Sequence, residues 1–296
     1  MASESGNKRW LGYTLYVILI ALFLLYFLFP AKAVEEFIAT SVRRINPDLA
    51  FQAVKIRPWI PAGLRVAEGR FYLRSAPETV VFATDNLYIT PQVLKVIKGD
   101  YSFSLNAKAY KGEIAGSFHP TSKDSNAFET EVTFRDISLG DYDFLAQKFA
   151  ARISGSLSGE IVYNIDPAVS AAGNGRADLS LTTGQVHFQV PIFGIDSVDL
   201  QNVELGMELS GRKLTIVRAE LAGQEVKAIM TGTIQVQDNI SLSQLNLKGT
   251  LEFLAEFSNN HPDIIELLRS MKKRVRRGQY FFIITGTLGA PRFALL

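Results

Sequence analysis

Tyr101-Ser-Phe-Ser-Leu-Asn-Ala-Lys-Ala109 decides the fold class of this chain. Successive side chains of an extended strand point to opposite faces. Tyr101, Phe103, Leu105, Ala107 and Ala109 therefore fall on one side, and Ser102, Ser104, Asn106 and Lys108 on the other. The same period of two returns at Val203, Leu205, Met207 and Leu209, and again at Leu245, Leu247, Leu251 and Phe253. Runs of this kind, each with one apolar and one polar face, number roughly 13–15 from Leu49 onward.

Helical patterns are few after residue 48. They are Pro91–Lys98, Asp141–Arg152 and Pro262–Met271, the last with Pro in its first turn. A small word also recurs: Gly116-Ser-Phe, Gly155-Ser-Leu, Gly232-Thr-Ile, Gly249-Thr-Leu and Gly286-Thr-Leu. Glycine inside a strand marks a bend or a close backbone approach, and repeated across a sheet it helps the sheet curl. The spacing is too irregular for a solenoid repeat. The small, polar segments Pro120–Asn126 and Ala168–Gly175 read as loops.

So many apolar strand faces need cover that three short helices cannot provide. A sandwich, a barrel or a sheet curled on its own apolar face would serve. Fifteen strands at ~4.8 Å would extend ~70 Å, the scale of a lipid-holding trough. On that reading the candidate lipid-facing residues are Phe103, Leu105, Leu205, Met207, Leu247, Leu251 and Phe253.

Working outward to the N-terminus, Trp10–Phe29 carries no charge. About 20 apolar residues suffice to span a hydrocarbon core as a helix. Trp10 and Tyr13 at one end, with Tyr26, Phe27 and Phe29 at the other, fit interfacial belts. The run exceeds a signal-peptide core, although Ala31-Lys-Ala33 is a small-x-small triplet, so a retained anchor is expected. Basic residues lie on both sides, at Lys8, Arg9, Lys32, Arg43 and Arg44. The expected orientation is N-terminus inside, large domain outside.

Val34, Phe37, Ile38, Ser41, Val42 and Ile45 then fall at helical spacing, with Glu early and Arg late, up to Asn46-Pro47. This helix reads either as lying on the membrane surface or as capping the end of the β domain. The expected organisation is a cytoplasmic tail (1–9), a transmembrane helix (10–30), a juxtamembrane amphipathic helix (31–47) and a β-rich domain (48–296). The fold class is mainly β: a single N-terminal transmembrane helix before a large, curled, antiparallel-rich sheet, groove or sandwich-like, with a few short helices.

The formal charge of +2 gives no reason to expect a nucleic-acid partner. With no cysteine there is no disulfide framework, thiolate site or cysteine nucleophile. His119, His187 and His261 sit in no metal-binding spacing. Asp136, Asp141 and Asp143 precede or open a helix, where Asp caps. No Gly-x-Ser-x-Gly or phosphate-cradling loop occurs, and Gly173-Asn-Gly-Arg176 reads as a turn. No enzyme, cofactor or metal is expected.

Lys272, Lys273, Arg274, Arg276 and Arg277 form the strongest charge run. It reads as a solvated helix C-terminus or as a contact for anionic headgroups. Trp59, in Arg57-Pro-Trp-Ile-Pro-Ala-Gly63, is expected to cover an open end of the apolar interior or to dip into the interface.

Asn46-Pro-Asp-Leu49, Val54-Lys-Ile-Arg-Pro-Trp-Ile-Pro-Ala-Gly-Leu-Arg-Val66, Lys108-Ala-Tyr-Lys-Gly-Glu-Ile-Ala-Gly-Ser117 and Ile284-Thr-Gly-Thr-Leu-Gly-Ala-Pro-Arg-Phe293 follow the uncharged run. In this combination the chain resembles the type II secretion system protein GspN family and, more distantly, the AsmA-like envelope proteins. The resemblance implies an inner-membrane protein with a periplasmic β domain and supplies no catalytic residues. It gives two expected functions. One is an accessory role associated with type II secretion through contacts with envelope proteins. The other is a groove that binds or transfers phospholipid or lipopolysaccharide acyl chains.

Overall fold

A computed structural model describes residues 4–59, 62–93, 95, 100–121, 127–148, 151–166, 170–192, 195–270, 275–276 and 278–296. Two helices open the chain, α1 (Glu4–Phe27) and α2 (Ala31–Ile45). They are followed by β1 (Leu49–Pro58), β2 (Leu64–Leu73), β3 (Ala76–Pro91), β4 (Phe103–Ala109), β5 (Gly112–Pro120) and β6 (Phe128–Ser138). A 3₁₀ turn (Leu139–Asp141) and the short helix α3 (Asp143–Lys148) lead to β7 (Ala151–Asp166). Then come β8 (Ser170–Ile192), β9 (Ile195–Ser210), β10 (Lys213–Ala222), β11 (Val226–Gln235) and β12 (Gln244–Phe253). Helices α4 (Ala255–Asn260) and α5 (Pro262–Ser270) precede β13 (Val275–Arg276), β14 (Gln279–Thr287) and β15 (Ala290–Leu295).

The strands make one 15-stranded antiparallel sheet in which neighbours in sequence are neighbours in space from β1 to β12. The order then runs β12–β14, and both β13 and β15 pair with β14. This is the simplest order a chain with short connections can adopt. Among the described residues there is no second sheet and β1 does not close onto the far end, so the sandwich and closed-barrel alternatives fall away.

Bulges keep the apolar residues of each strand on one side. In β10 the pairing shifts between Ile216 and its successors, Arg218 toward β9 and Ala219 toward β11. The alternation therefore slips by one residue, and Leu214, Ile216 and Ala219 all join the same apolar cluster. Phe51, Ala53 and Ile56 of β1 do likewise, beside a left-handed Glu68 in β2. Pairing also shifts between Phe134 and Ile137 of β6, where Asp136 has φ 53°, and between Ser154 and Ser156 of β7, around Gly155. Each bulge bends its strand and increases its twist. The recurring Gly-Ser/Thr word falls within strands throughout, and Gly155, Gly232 and Gly286 adopt the left-handed φ that favours glycine.

Helix α2 lies against the first strand. Val34, Ile38, Ala39 and Val42 pack on Phe51, Ile56 and Val66, the last fully buried. The Ala53 N–H donates to Glu35 Oε1 at 3.2 Å. β1 has a sheet neighbour on one side only, so α2 covers an edge that would otherwise offer unpaired backbone groups.

Several expectations change. The helix expected over Asp141–Arg152 is described over Asp143–Lys148, and its expected last residues Ala151 and Arg152 are strand, paired with Phe188 and His187 of β8. Ser170–Gly175, expected as loop, is strand. Cross-strand partners in β7 and β9 override its turn-like composition, and Gly173 absorbs the kink at φ 64°. Of Pro91–Lys98, only Val93 and Lys95 are described as helical. The side chains at 4–9, 11, 12, 18, 19, 22 and 25 lie outside the description of α1. Among the described residues, no helix is long and apolar enough to cross a membrane.

Candidate functional site

The candidate site is the apolar face of the sheet, since it is where sequence alternation and bulges concentrate large side chains. At its centre, Ile216, Ile234 and Leu247 are buried, with Leu205, Met207 and Met230 packed against them. These residues come from β9 to β12, and the cluster contains no helical side chain. Close backbone approach makes the packing possible. Gly232 faces Ile216 on one side and Leu247 on the other, and a Cβ there would lie 2.7 Å from the Leu247 Cα.

Two aromatic assemblies stand along the border formed by the C-terminal ends of β10 and β12 and the N-terminal ends of β1, β7 and β11. At the β1 side, rings succeed one another from Phe51 to Phe71 (5.0 Å), Phe82 (6.0 Å), Tyr110 (6.0 Å) and Tyr142 (5.1 Å). The Tyr110 hydroxyl accepts from the Ala83 N–H at 2.8 Å, and the Tyr142 hydroxyl donates to the Val81 carbonyl at 2.9 Å. Burial raises the pKa of both phenols above the ordinary tyrosine value. At the other side, Phe253 stacks on Phe257 of α4 (4.5 Å) and meets Tyr280 (5.6 Å). Phe257 is only 1% exposed.

The opposite face is polar and laced with ion pairs. Arg218 of β10 pairs with Glu204 of β9 and with Glu220 (3.1 Å). Arg176 reaches Asp178 (3.3 Å) and Glu160 of β7 (3.9 Å). Arg176, Asp178, Glu204 and Arg218 line an open depression of about 420 Å³ over Gly206. Trp59 sits on this face as well. It packs on Tyr88 at 4.9 Å, beside Arg65, and does not cover the apolar interior as expected. Its place follows from alternation: Ile56 is buried, so Arg57 and Trp59 point the other way.

The expected lipid-facing residues divide in two. Leu205, Met207 and Leu247 meet in the central cluster. Phe103 and Leu105 lie on β4, half-buried, and Leu251 pairs with Tyr280 beside the second aromatic group. Phe253 is covered by the Phe257 ring of α4, an arrangement that alternation along β12 alone does not disclose.

Of the anchor residues, Trp10, Tyr13 and Tyr26 are exposed on α1. Phe29 lies beyond the end of α1 and is half-buried against the Phe51–Val66 core. Lys272, Lys273, Arg274 and Arg277 lie outside the described residues. Arg276 belongs to β13, opposite Gln279, and not to a helix C-terminus.

The candidate acids also disperse. Asp141 pairs with Lys111 at 3.0 Å, and its carboxyl is held below the usual range by the Ser138 hydroxyl and by Lys111. Asp136 accepts from Ser156. His187 bonds Gln185 at 2.8 Å, His261 stacks on Phe257, and the buried His119 Nδ1 has no partner among the described residues. Among the described residues, no group of three His, Cys, Asp or Glu side chains could hold a metal ion.

The tyrosine pair escapes sequence reasoning because Tyr110 sits in a two-residue turn and its partner is distant in the chain. Its one signal is that Tyr110 and Lys111 both carry positive φ, the geometry of a tight hairpin. No family model, curated protein or solved structure matches the chain.

Proposed function

We propose that this chain is an inner-membrane-anchored envelope protein whose sheet curls into a groove that shelters lipid acyl chains. One observation carries the reading. Among the described residues the strands form one open ladder with no second sheet over their apolar side, and the main helix contacts fall at β1, β3, β7 and the β12–β14 end. Apolar area left to water is costly, at ~25 cal/mol per Å², and a ligand chain would recover ~0.8 kcal/mol per buried CH₂. The uncharged run Trp10–Phe29 supports the anchor by its length and composition. Catalysis and cofactors form no part of the proposal.

In-cell photocrosslinking tests it. A photoreactive amino acid at Leu205, Met207 or Leu251 should capture phospholipid or lipopolysaccharide. The same group at Glu208 or Thr250, on the polar face, should not. Equal capture on both faces, or none, overturns the lipid reading.

A second reading, an accessory role in type II secretion through protein contacts, has its own observation. β15 is an outer strand with Phe293 exposed, and such an edge can accept a partner strand. A crosslinker at Phe293 that captures an envelope protein would support it.

A further inference from the structure

Helix α2 carries apolar side chains on two sides, and the sheet uses only one. With 3.6 residues per turn, Val34, Ile38 and Val42 form the stripe that meets β1. Phe37 stands about 100° round the helix from Ile38, off that stripe, and it is 72% exposed. Lys32, Glu36, Arg43 and Arg44 of the same helix are also exposed, three cations against one carboxylate, and Arg44 falls two turns along on the side of Phe37. Among the described residues none of the three cations has an ion-pair partner. Glu35, the other acid of this helix, turns inward to the Ala53 N–H.

A lone exposed phenylalanine is ordinary on a protein surface. This one lies eight residues beyond the end of the uncharged run Trp10–Phe29, on a helix joined to α1 by a short link. An apolar ring flanked by cations suits the boundary between lipid headgroups and acyl chains, and basic residues there gain most from anionic lipid.

We propose that the outer face of α2 lies in the headgroup layer of an anionic bilayer, with Phe37 inserted and Lys32, Arg43 and Arg44 on lipid phosphates. The helix then has a structural side and a membrane side. Its inner stripe holds β1, and its outer stripe holds the bilayer, so the apolar face of the sheet begins next to the membrane. This rests on the reading of Trp10–Phe29 as an anchor.

The absence of cysteine makes the test direct. Single substitutions Phe37→Cys, Ala33→Cys and Val217→Cys in the full chain each take one environment-sensitive fluorophore. Val217, exposed on β10, is the reference site. The labelled chains are placed in vesicles of phosphatidylcholine, with or without about one-third phosphatidylglycerol, and quenched by lipids spin-labelled near the headgroup.

Positions 37 and 33 should be quenched several-fold more than 217 in the anionic vesicles, and less in phosphatidylcholine alone. With the label at 33, Phe37→Asp or the pair Arg43→Glu and Arg44→Glu should lower the quenching. Quenching at 37 and 33 no greater than at 217 overturns the proposal. So does quenching indifferent to anionic lipid. Flotation after a carbonate wash separates the two readings. A chain that floats without quenching at 37 loses only this inference, whereas a chain that leaves the vesicles loses the anchor and the inference together.

Discussion

Gly232 and Gly116 belong to the same sequence word but are not under the same constraint. Gly232 has φ 148°, and a Cβ there would meet the Asn246 carbonyl oxygen at 2.3 Å. At Gly116 the nearest atom would stand at 3.4 Å, with no left-handed backbone. Gly232→Ala should therefore destabilise the chain by about 1–3 kcal/mol or more. Gly116→Ala should change stability by less than about 1 kcal/mol. Urea unfolding of the two variants checks the contrast. Tyr110 and Tyr142 give a second expectation at this scale. Both phenols are held above the ordinary value of 10.0 by burial. Between that value and their raised pKa, the unfolded chain ionises while the folded chain keeps its protons. Stability should thus be intact below about pH 10 and fall as pH rises through it. Thermal midpoints across that range, compared with a Tyr110→Phe and Tyr142→Phe double variant, should show a steeper fall in the parent.

The short helices of the β domain pack on the sheet or on one another. Asp141–Arg152 gives Ala151 and Arg152 to the strand it feeds, whereas α2 and α5 keep nearly the lengths their periodicity indicates. Helix α4 is short but holds the largest fully buried side chain among the described residues, Phe257, between Phe253 and His261. Phe257→Ala should cost about 3–5 kcal/mol, as removal of a buried ring does. Denaturant unfolding would read the loss directly. A cost below about 1 kcal/mol would mean that α4 is not a structural cover. At the edge, Glu35 satisfies one β1 backbone donor, a device no periodicity announces, because the bond joins residues 18 apart in different elements.

At the scale of the molecule, an unbroken run of neighbouring antiparallel strands produces a long sheet with one apolar side. Thirteen spacings from β1 to β13 at ~4.8 Å give a face of roughly 60 Å. The photocrosslinking contrast between Met207 and Glu208 belongs here, because adjacent residues on one strand report opposite faces of the whole sheet.

The sequence by itself determined strand content, which side chains share a face, where glycine bends a strand, and the existence of an uncharged N-terminal run. These are consequences of period and local backbone preference, and they need no distant partner. Only the tertiary structure decided that the described strands join one sheet. Tertiary contacts alone also placed Phe29 in the β1 core, set Trp59 on the polar face, covered Phe253 with α4 and assembled Tyr110 with Tyr142. Each of these depends on residues far apart in the chain, or on a bulge that shifts alternation by one position. A local pattern carries no record of either.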